Sequence, residues 1–247
     1  MVLNLGMTGA KSGPTPRAHI AQVGNALSPP PLSSLEVQAL PPKLEKPDAT
    51  IMPPWAGQRP PMPVLYGALE LTPAQIFALV APSVYIVVAG QKGKRALGSA
   101  VGVSADWAVT SCHAVHDQRS IALIDDQTGK VFDASLSRAH EVSDRCFLRV
   151  EGKLKRIAGV RRIANLVVGE RVYAIGNPAG LTKTLTEGLI SGVQAEGGIR
   201  YVQTTAPISE RSSGGAVVDA KGALIGVTTF KHTQNMNFAI AAEEFWR

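Results

Sequence analysis

Ser213 lies in the run Ser-Ser-Gly-Gly, Ser212 to Gly215, between the β-prone segments YVQTT and GAVVD. A serine on a sharp loop before two glycines can expose its hydroxyl while backbone N–H groups converge beside it. Acyl transfer needs that arrangement, because the nucleophile must lie next to donors that stabilise the developing negative charge. The same residues also suit an ordinary Gly-Ser hairpin loop, so this stretch alone leaves both interpretations open.

A serine nucleophile needs a base, and His113 is the strongest candidate. The segment DWAVTSCHAV runs a buried-type strand directly into this histidine, where a rigid scaffold can aim the imidazole. His116 is expected to be exposed on the following turn. Cys112, His113 and His116 could also form a metal cluster, but adjacent ligands without a second ligand pair disfavour zinc. The sequence therefore predicts no metal site.

Asp144 is the best candidate for an acid that orients the imidazole. It opens SDRCFLRVEG, at the head of an apolar run that predicts a buried strand. A turn or strand-cap aspartate is the alternative interpretation. The other aspartates considered lie in turn-like or polar contexts and are expected to be solvated: Asp117, Asp125, Asp126, Asp133 and Asp219. The order His113, Asp144, Ser213, each at the edge of a predicted strand, favours a catalytic set.

Short β-prone runs separated by turn signals fill the chain after a predicted helix, which has Thr72 as N-cap and ends at Pro82. This pattern predicts an all-β sandwich or barrel fold. The predicted strands lie near 83–90, 96–103, 106–111, 119–125, 130–137, 145–151, 171–176, 184–194, 198–205, 214–219, 223–230 and 236–241.

Residues 1–65 form a proline-rich extension that holds 13 of the 17 prolines. Proline removes backbone donors and disfavours helix, so this extension is predicted to be extended or disordered. A plain linker is favoured over a tether, a propeptide or a ligand for a partner domain.

The 247-residue chain carries a net charge of +6, with 45% hydrophobic and 18% charged residues, as in ordinary globular proteins. Its basic residues are scattered, which argues against nucleic-acid binding. No apolar run is long enough for a membrane span, and the first twenty residues show no signal-peptide core. Neither a GxxxxGK[ST] loop nor a GxGxxG turn occurs, and no cofactor is predicted.

Five segments in order resemble the trypsin-like (chymotrypsin-fold) serine peptidases, in particular the bacterial HtrA (Deg-type) branch, and no PDZ domain is expected in this chain. They are GSAVGVSADWAVTSCHAV, SDRCFLRV, GERVYAIGNPAGLTKTLTEGLISG, YVQTTAPISERSSGGAVVDAKGALIGVTTF and NMNFAIAA. The resemblance implies two packed six-stranded antiparallel Greek-key barrels. The N-terminal barrel would span residues 66–158 and hold His113 and Asp144, and the C-terminal barrel, residues 159–247, would hold Ser213.

The resemblance also implies a serine endopeptidase that cleaves a protein or peptide substrate through an acyl-enzyme. Ser213 would be the nucleophile, His113 the general base and Asp144 the orienting acid. The backbone N–H groups of Ser213 and Arg211, with Ser212 between them, would form the oxyanion hole.

The same resemblance assigns two groups of residues to substrate binding. Thr228, Thr229 and Phe230 would pair with an extended substrate backbone. Ala206, Pro207 and Ile208 would line the primary specificity pocket. This stretch contains no acid, so small or aliphatic side chains are favoured over Lys or Arg.

Two positions depart from the family pattern. Arg211 stands where the family usually has glycine, and a residue with a Cβ resists the positive φ that turns its N–H into the oxyanion hole. The alternative function is therefore a weakened or inactive protease-fold module that binds peptide without cutting it. Ser212 stands where zymogen-type relatives carry aspartate, so activation by a new N-terminus is not expected.

Cys112 precedes the candidate histidine and Cys146 lies two residues after the candidate aspartate. Because a working triad brings these segments together, a Cys112–Cys146 disulfide is a hypothesis, with two buried thiols as the alternative. The disulfide and the resemblance together favour a periplasmic or secreted protein.

Overall fold

The computed structural model describes residues 57–64, 69–91, 94–118, 120–178, 182–209, 212–233 and 236–247. These residues all belong to one compact unit, Val37–Arg247. The predictions for residues 1–56 and for Arg211 lie outside the described residues.

Twelve antiparallel strands form two closed six-stranded barrels. The first barrel has the strand order β1-β2-β3-β6-β5-β4 and comprises β1 (Val84–Gln91), β2 (Lys94–Gly102), β3 (Trp107–Thr110), β4 (Ser120–Ile124), β5 (Val131–His140) and β6 (Arg145–Val150). The second has the order β10-β11-β12-β9-β8-β7 and comprises β7 (Arg171–Gly176), β8 (Thr184–Glu196), β9 (Ile199–Thr204), β10 (Ala216–Asp219), β11 (Leu224–Thr233) and β12 (Met236–Ala241). The two rings have the same cyclic order, which confirms the predicted double-barrel fold.

The strand ends differ most from the prediction in β5 and β11. Each runs three residues beyond its predicted end, to His140 and Thr233. A register shift between Leu136 and Arg138 interrupts the pairing of β5 with β6, and pairing resumes beyond it. Such a bulge lets a strand continue through polar residues that resemble a loop in the sequence.

The helix α1, Pro73–Val80, begins as predicted. Thr72 accepts a hydrogen bond from the Gln75 backbone, and the Gln75 side chain accepts one from Thr72 in return, so the two form a capping box. Ile76 and Val80 are buried, and a 3₁₀ turn, Ala81–Ser83, follows. Within the described part of the chain, no helix has the length and apolar character needed to cross a bilayer.

One hydrophobic cluster joins the two barrels. Phe147 on β6 packs edge-to-face on Phe245 and Trp246, with ring centroids 6.2 and 5.5 Å apart. Tyr173 and Val227 of the second barrel belong to the same buried cluster. Because protein interiors are closely packed, this shared core holds the two barrels in a fixed position relative to each other at their junction.

Residues 57–64, the described part of the predicted proline-rich extension, are hydrogen-bonded to the folded body. The predicted solvation of three aspartates is wrong. Asp219 is buried and contacts Arg161, while Asp125 and Asp126 flank the buried amine of Lys183. These carboxylates are not solvated, because cations from distant segments reach them, and local sequence does not reveal such partners. The predicted domain boundary at 158/159 stays a prediction.

Candidate active site

The site begins with two short 3₁₀ turns on the first barrel. After β3 ends at Thr110, the turn Cys112–Ala114 presents His113, whose side chain is 43% exposed. The turn Glu141–Ser143 ends at Asp144, which has φ 55° and lies directly before β6. Aspartate tolerates this left-handed conformation better than most residues, and here the turn points its carboxylate at the histidine.

The Asp144 carboxylate accepts three hydrogen bonds. Its Oδ2 lies 2.9 Å from His113 Nδ1, and its Oδ1 accepts the His113 backbone N–H at 2.9 Å. Thr229 of the second barrel donates its hydroxyl to Oδ2 at 2.8 Å. Because an ionised carboxylate can only accept, the proton of a neutral His113 ring sits on Nδ1, and Nε2 is then the basic nitrogen.

These contacts lower the pKa of Asp144. Burial is the largest single effect and acts to raise the pKa of the carboxyl. The hydrogen bonds from the His113 side chain and backbone, the charge of His113 and the Thr229 hydroxyl together outweigh it and leave the pKa below its ordinary value. Asp144 is therefore held as a carboxylate.

A disulfide joins Cys112 to Cys146. It ties the residue before His113 to the strand that follows Asp144, and both cysteines are buried. His116 is half-buried rather than exposed as predicted, and its Nε2 and Nδ1 lie 2.7 Å from Glu141 Oε1 and 3.3 Å from Asp117 Oδ2. Across the described ranges, no group of three or more His, Cys, Asp or Glu side chains is arranged to hold a metal ion.

The loop that carries Ser213 is held against the first barrel. The Ser213 carbonyl accepts the Ser99 N–H of β2 at 2.8 Å. Gly214 has φ +86°, and a Cβ there would lie 2.0 Å from the Ser99 carbonyl oxygen. Only glycine suits both the backbone conformation and the close approach, which explains the residue after the candidate nucleophile. Ser212 is buried beside it, and its carbonyl accepts the Gly215 N–H at 2.9 Å.

Ser99 is a site residue that sequence reasoning missed. It is fully buried, its carbonyl accepts the Thr110 hydroxyl at 2.7 Å, and its Oγ accepts the Asn177 N–H at 3.0 Å. It therefore connects the Ser213 loop to β3 and to the segment after β7. No local signal marks this serine, because its importance arises from backbone groups that are distant in sequence.

The residues assigned to substrate pairing differ in their contacts. The Thr228 N–H donates to the Gly215 carbonyl at 2.9 Å, and the Thr228 carbonyl accepts from Gly214 N–H at 2.7 Å and Ser111 Oγ at 3.1 Å. Thr228 thus uses both its backbone N–H and its carbonyl in hydrogen bonds within the protein. Thr229 binds Asp144, and Phe230 lies in β11 with its side chain outside the described residues.

The predicted pocket wall lies on the second barrel. Ala206 is buried, Pro207 is exposed and accepts the Thr186 hydroxyl at 2.7 Å, and Ile208 packs half-buried on the barrel core. A Cβ on Gly188 would lie 2.1 Å from the Ala206 nitrogen, so β8 runs directly against this wall.

Two closed six-stranded barrels, with a histidine–aspartate pair whose carboxylate also accepts a hydrogen bond from the second barrel, are typical of trypsin-like proteins. A sequence model described as "Trypsin-like peptidase domain" matches residues 98–227, more than half of the chain. The chain belongs to this family.

Its relatives are HtrA-type proteins. The chain is 32% identical over 222 residues to "Serine protease HTRA2, mitochondrial" of Bos taurus, covering 76% of this chain and 47% of that protein. It is 35% identical over 150 residues to "Periplasmic serine endoprotease DegP" of Escherichia coli (strain K12), covering 57% of this chain and 31% of that protein. The chain thus spans between about a third and a half of the length of these curated relatives.

Two solved structures similar to this chain support the same assignment. The structure of "HtrA-type protease AlgW with tripeptide" has a TM-score of 0.65 at 30% identity, covering 71% of this chain and 62% of that one. A serine endoprotease from Yersinia pestis has a TM-score of 0.62 at 31% identity, covering 71% and 64%. The HtrA-like branch suggested by the sequence motifs is therefore confirmed.

Proposed function

We propose that this chain is a serine endopeptidase that cleaves extended polypeptide through an acyl-enzyme on Ser213. The observation that carries the proposal is the Asp144 carboxylate, which accepts hydrogen bonds from His113 in the first barrel and from Thr229 in the second. A pure binding module has no chemical need for an ionised acid held on a histidine.

In the first step, Ser213 Oγ attacks the substrate carbonyl carbon while His113 Nε2 takes the hydroxyl proton. The imidazolium that forms is stabilised by Asp144, which stays ionised because its pKa is held low. The negative oxygen of the tetrahedral intermediate is stabilised by the N–H groups of Ser213 and Arg211, next to Ser212. Each such donor is worth roughly 10²–10³ in turnover.

In the second step, the carbon–nitrogen bond breaks and His113 gives its proton to the leaving amine, which leaves an ester on Ser213. Water then attacks this ester as His113 takes a proton from it. Ser213 recovers that proton when the acid product departs.

The substrate is an extended peptide that adds to β11 through backbone hydrogen bonds. Thr228 is excluded from this pairing by its own internal bonds, so pairing involves the backbone of Thr229 and Phe230. Ala206, Pro207 and Ile208 form the pocket wall, and a wall without an acid suits small or aliphatic side chains.

The direct assay is hydrolysis of a reduced and alkylated model protein, with products identified by mass spectrometry. Wild type should release fragments, Ser213→Ala should release none, and Ser191→Ala, at an exposed serine on β8 outside the proposed machinery, should match wild type. Fragments from Ser213→Ala at the wild-type rate would overturn the proposal. A folded wild type that binds the substrate without cutting it would favour the binding-module alternative, with Arg211→Gly as the variant to examine next.

The protein is proposed to work in the periplasm or outside the cell. A disulfide persists in oxidising compartments, and the DegP relative is named as periplasmic. Protein isolated natively and denatured without reductant should show no free thiol, and two after reduction. Two free thiols before reduction would argue against this location.

A further inference from the structure

Residues 57–64, GQRPPMPV, lie across the face formed by both barrels and the C-terminal turn; this segment is called the strap. At its start, the Gly57 N–H donates to the Ser137 carbonyl of β5 at 2.9 Å, and Ser137 Oγ returns a hydrogen bond to the Gln58 carbonyl at 3.2 Å. The strap thus first contacts the first barrel.

Further along, the strap contacts two other parts of the protein. Trp246 in the C-terminal 3₁₀ turn donates its indole Nε1–H to the Pro60 carbonyl at 2.8 Å. The Val160 N–H, between the barrels, donates to the Pro63 carbonyl at 2.8 Å, and Val64 forms a parallel bridge with Val160. Three segments far apart in sequence therefore supply donors to one short peptide.

The chemistry of this surface matches a proline-rich ligand. Three of the four hydrogen bonds described above are accepted by strap carbonyls, and proline has no N–H to donate. An extended proline segment presents its carbonyls to its surroundings because it has no internal hydrogen bonds. Surfaces that recognise such segments commonly combine an aromatic wall with a donor for a carbonyl.

Contacts within the folded body hold the aromatic part of the surface. Trp246 packs edge-to-face on Phe147, with ring centroids 5.5 Å apart, which orients its indole N–H towards Pro60. Pro60 is buried, and Met62 packs against the core shared by the barrels. The contact therefore combines apolar burial with directed hydrogen bonds.

We propose that Ser137, Val160 and Trp246 form a binding site for an extended proline-rich peptide, and that the strap is its resident ligand. The site is separable from the strap and accepts the same sequence supplied in trans, from a synthetic peptide or from a second copy of this chain. In the intact chain the tethered strap is favoured by its high effective concentration. Peptide binding at this site does not depend on peptidase activity.

The first experiment opens the site in the full chain by replacing residues 58–64 with a Gly-Ser sequence of equal length. A fluorescein-labelled GQRPPMPV peptide should bind this variant saturably in fluorescence anisotropy, and at least ten-fold more weakly to wild type, where the strap competes. GQRAAMAV, the alanine-for-proline control peptide, should not bind either protein.

Two substitutions in the opened chain test the donors. Trp246→Phe keeps the ring on Phe147 but removes the N–H, and should weaken peptide binding by at least five-fold. Ser137→Ala should also weaken it. Ser135→Ala is the matched control, because Ser135 lies on the same strand beside a separate cleft formed with Asp106 and Arg149. A folded opened variant that binds no peptide would overturn the proposal.

A second measurement uses the intact chain, so it tests the proposed peptide site even if the opened variant does not fold. The Val160 amide is protected by the Pro63 carbonyl, whereas the nearby Leu224 amide donates to the Gly159 carbonyl at 2.8 Å. In Trp246→Phe, hydrogen exchange at Val160 should speed up several-fold while exchange at Leu224 stays unchanged. Equal acceleration at both amides, or none at Val160, would show that the strap is not an independently bound ligand.

Discussion

Two histidine–carboxylate pairs lie side by side on the first barrel. His113 contacts Asp144 at 2.9 Å, and His116, three residues later, contacts Glu141, three residues before Asp144, at 2.7 Å. By type and distance the two pairs are nearly equivalent. The histidine side chains do not separate them either, since His113 is 43% exposed and His116 34%.

The two pairs differ in the exposure and the hydrogen bonds of their carboxylates. Asp144 is 21% exposed and accepts hydrogen bonds from the His113 side chain, the His113 backbone and Thr229 of the other barrel. Glu141 is 59% exposed. A carboxylate fixed from several directions can orient an imidazole for proton transfer, whereas an exposed one forms an ordinary surface ion pair. The support given to the acid therefore distinguishes a candidate catalytic pair from a structural one.

The largest effect on hydrolysis is expected when the two acids are replaced one at a time. Asp144→Asn should lower the rate constant for peptide hydrolysis by about 10⁴, because an amide in place of the carboxylate favours the wrong imidazole tautomer. Glu141→Gln should change this constant by less than about three-fold, since it alters an exposed ion pair. Equal losses in the two variants would remove the distinction between the pairs.

The disulfide should stabilise the segments that carry the His113–Asp144 pair in particular. Replacing both Cys112 and Cys146 by serine opens a link between residues 34 apart, and should lower the free energy of unfolding by about 3–4 kcal/mol. Urea unfolding of the wild type and the double variant, both without reductant, measures this difference. A loss below about 1 kcal/mol would mean that the cross-link contributes little to the folded state.

The hydrogen bond from Thr229 of the second barrel to Asp144 can be removed by a single substitution. Thr229→Val keeps the shape of the side chain but takes one hydrogen bond from the Asp144 carboxylate, and should slow hydrolysis roughly ten-fold. Thr229→Ser, which keeps the hydroxyl, should restore most of the rate. Failure of serine to rescue would mean that the threonine methyl, rather than the hydroxyl, matters.

The low pKa of Asp144 predicts a pH-dependent stability. Its folded-state pKa lies below the unfolded value, so its stabilising contribution is present above pH of about 4 and is lost as the pH falls through the folded pKa. The gap in unfolding free energy between wild type and Asp144→Asn should therefore be largest at pH 5–7 and shrink in acid. Denaturant titrations across this range measure the gap, and a gap that widens in acid would reverse the expected sign.

The smallest effect is expected for the His116–Glu141 pair. His116→Gln should change the free energy of unfolding by less than about 1 kcal/mol, because its partners Glu141 and Asp117 are exposed. Thermal unfolding of this variant beside wild type provides the measurement. A loss above about 2 kcal/mol would show that the His116–Glu141 pair stabilises the site as the His113–Asp144 pair does.

Much of the fold could be predicted because the information is local. Alternating apolar residues and turn signals mark each strand, so all twelve strands appear close to their predicted positions. His113, Asp144 and the Ser213 loop could be proposed from the sequence because each lies where a predicted strand starts or ends. The pairing of His113 with Asp144 then follows from the way β3 and β6 lie side by side.

The features that could not be predicted from the sequence depend on contacts between distant segments. Three groups from distant segments hydrogen-bond to Ser99, and the backbone groups of Thr228 are already bonded within the protein. The strap has a proline-rich composition typical of disorder, yet donors from three separate segments bind its carbonyls. Composition describes what a segment can do alone and not which groups the fold brings to it.

The most direct test is labelling with a biotinylated fluorophosphonate, read by intact mass. This reagent reacts where a serine is activated and the resulting oxyanion is stabilised. We expect one adduct per wild-type chain, mapped to Ser213, no adduct in Ser213→Ala, and a rate strongly reduced in Asp144→Asn but not in Glu141→Gln. A folded wild type that takes up no reagent, or an adduct that persists in Ser213→Ala, would contradict the proposed role of this serine.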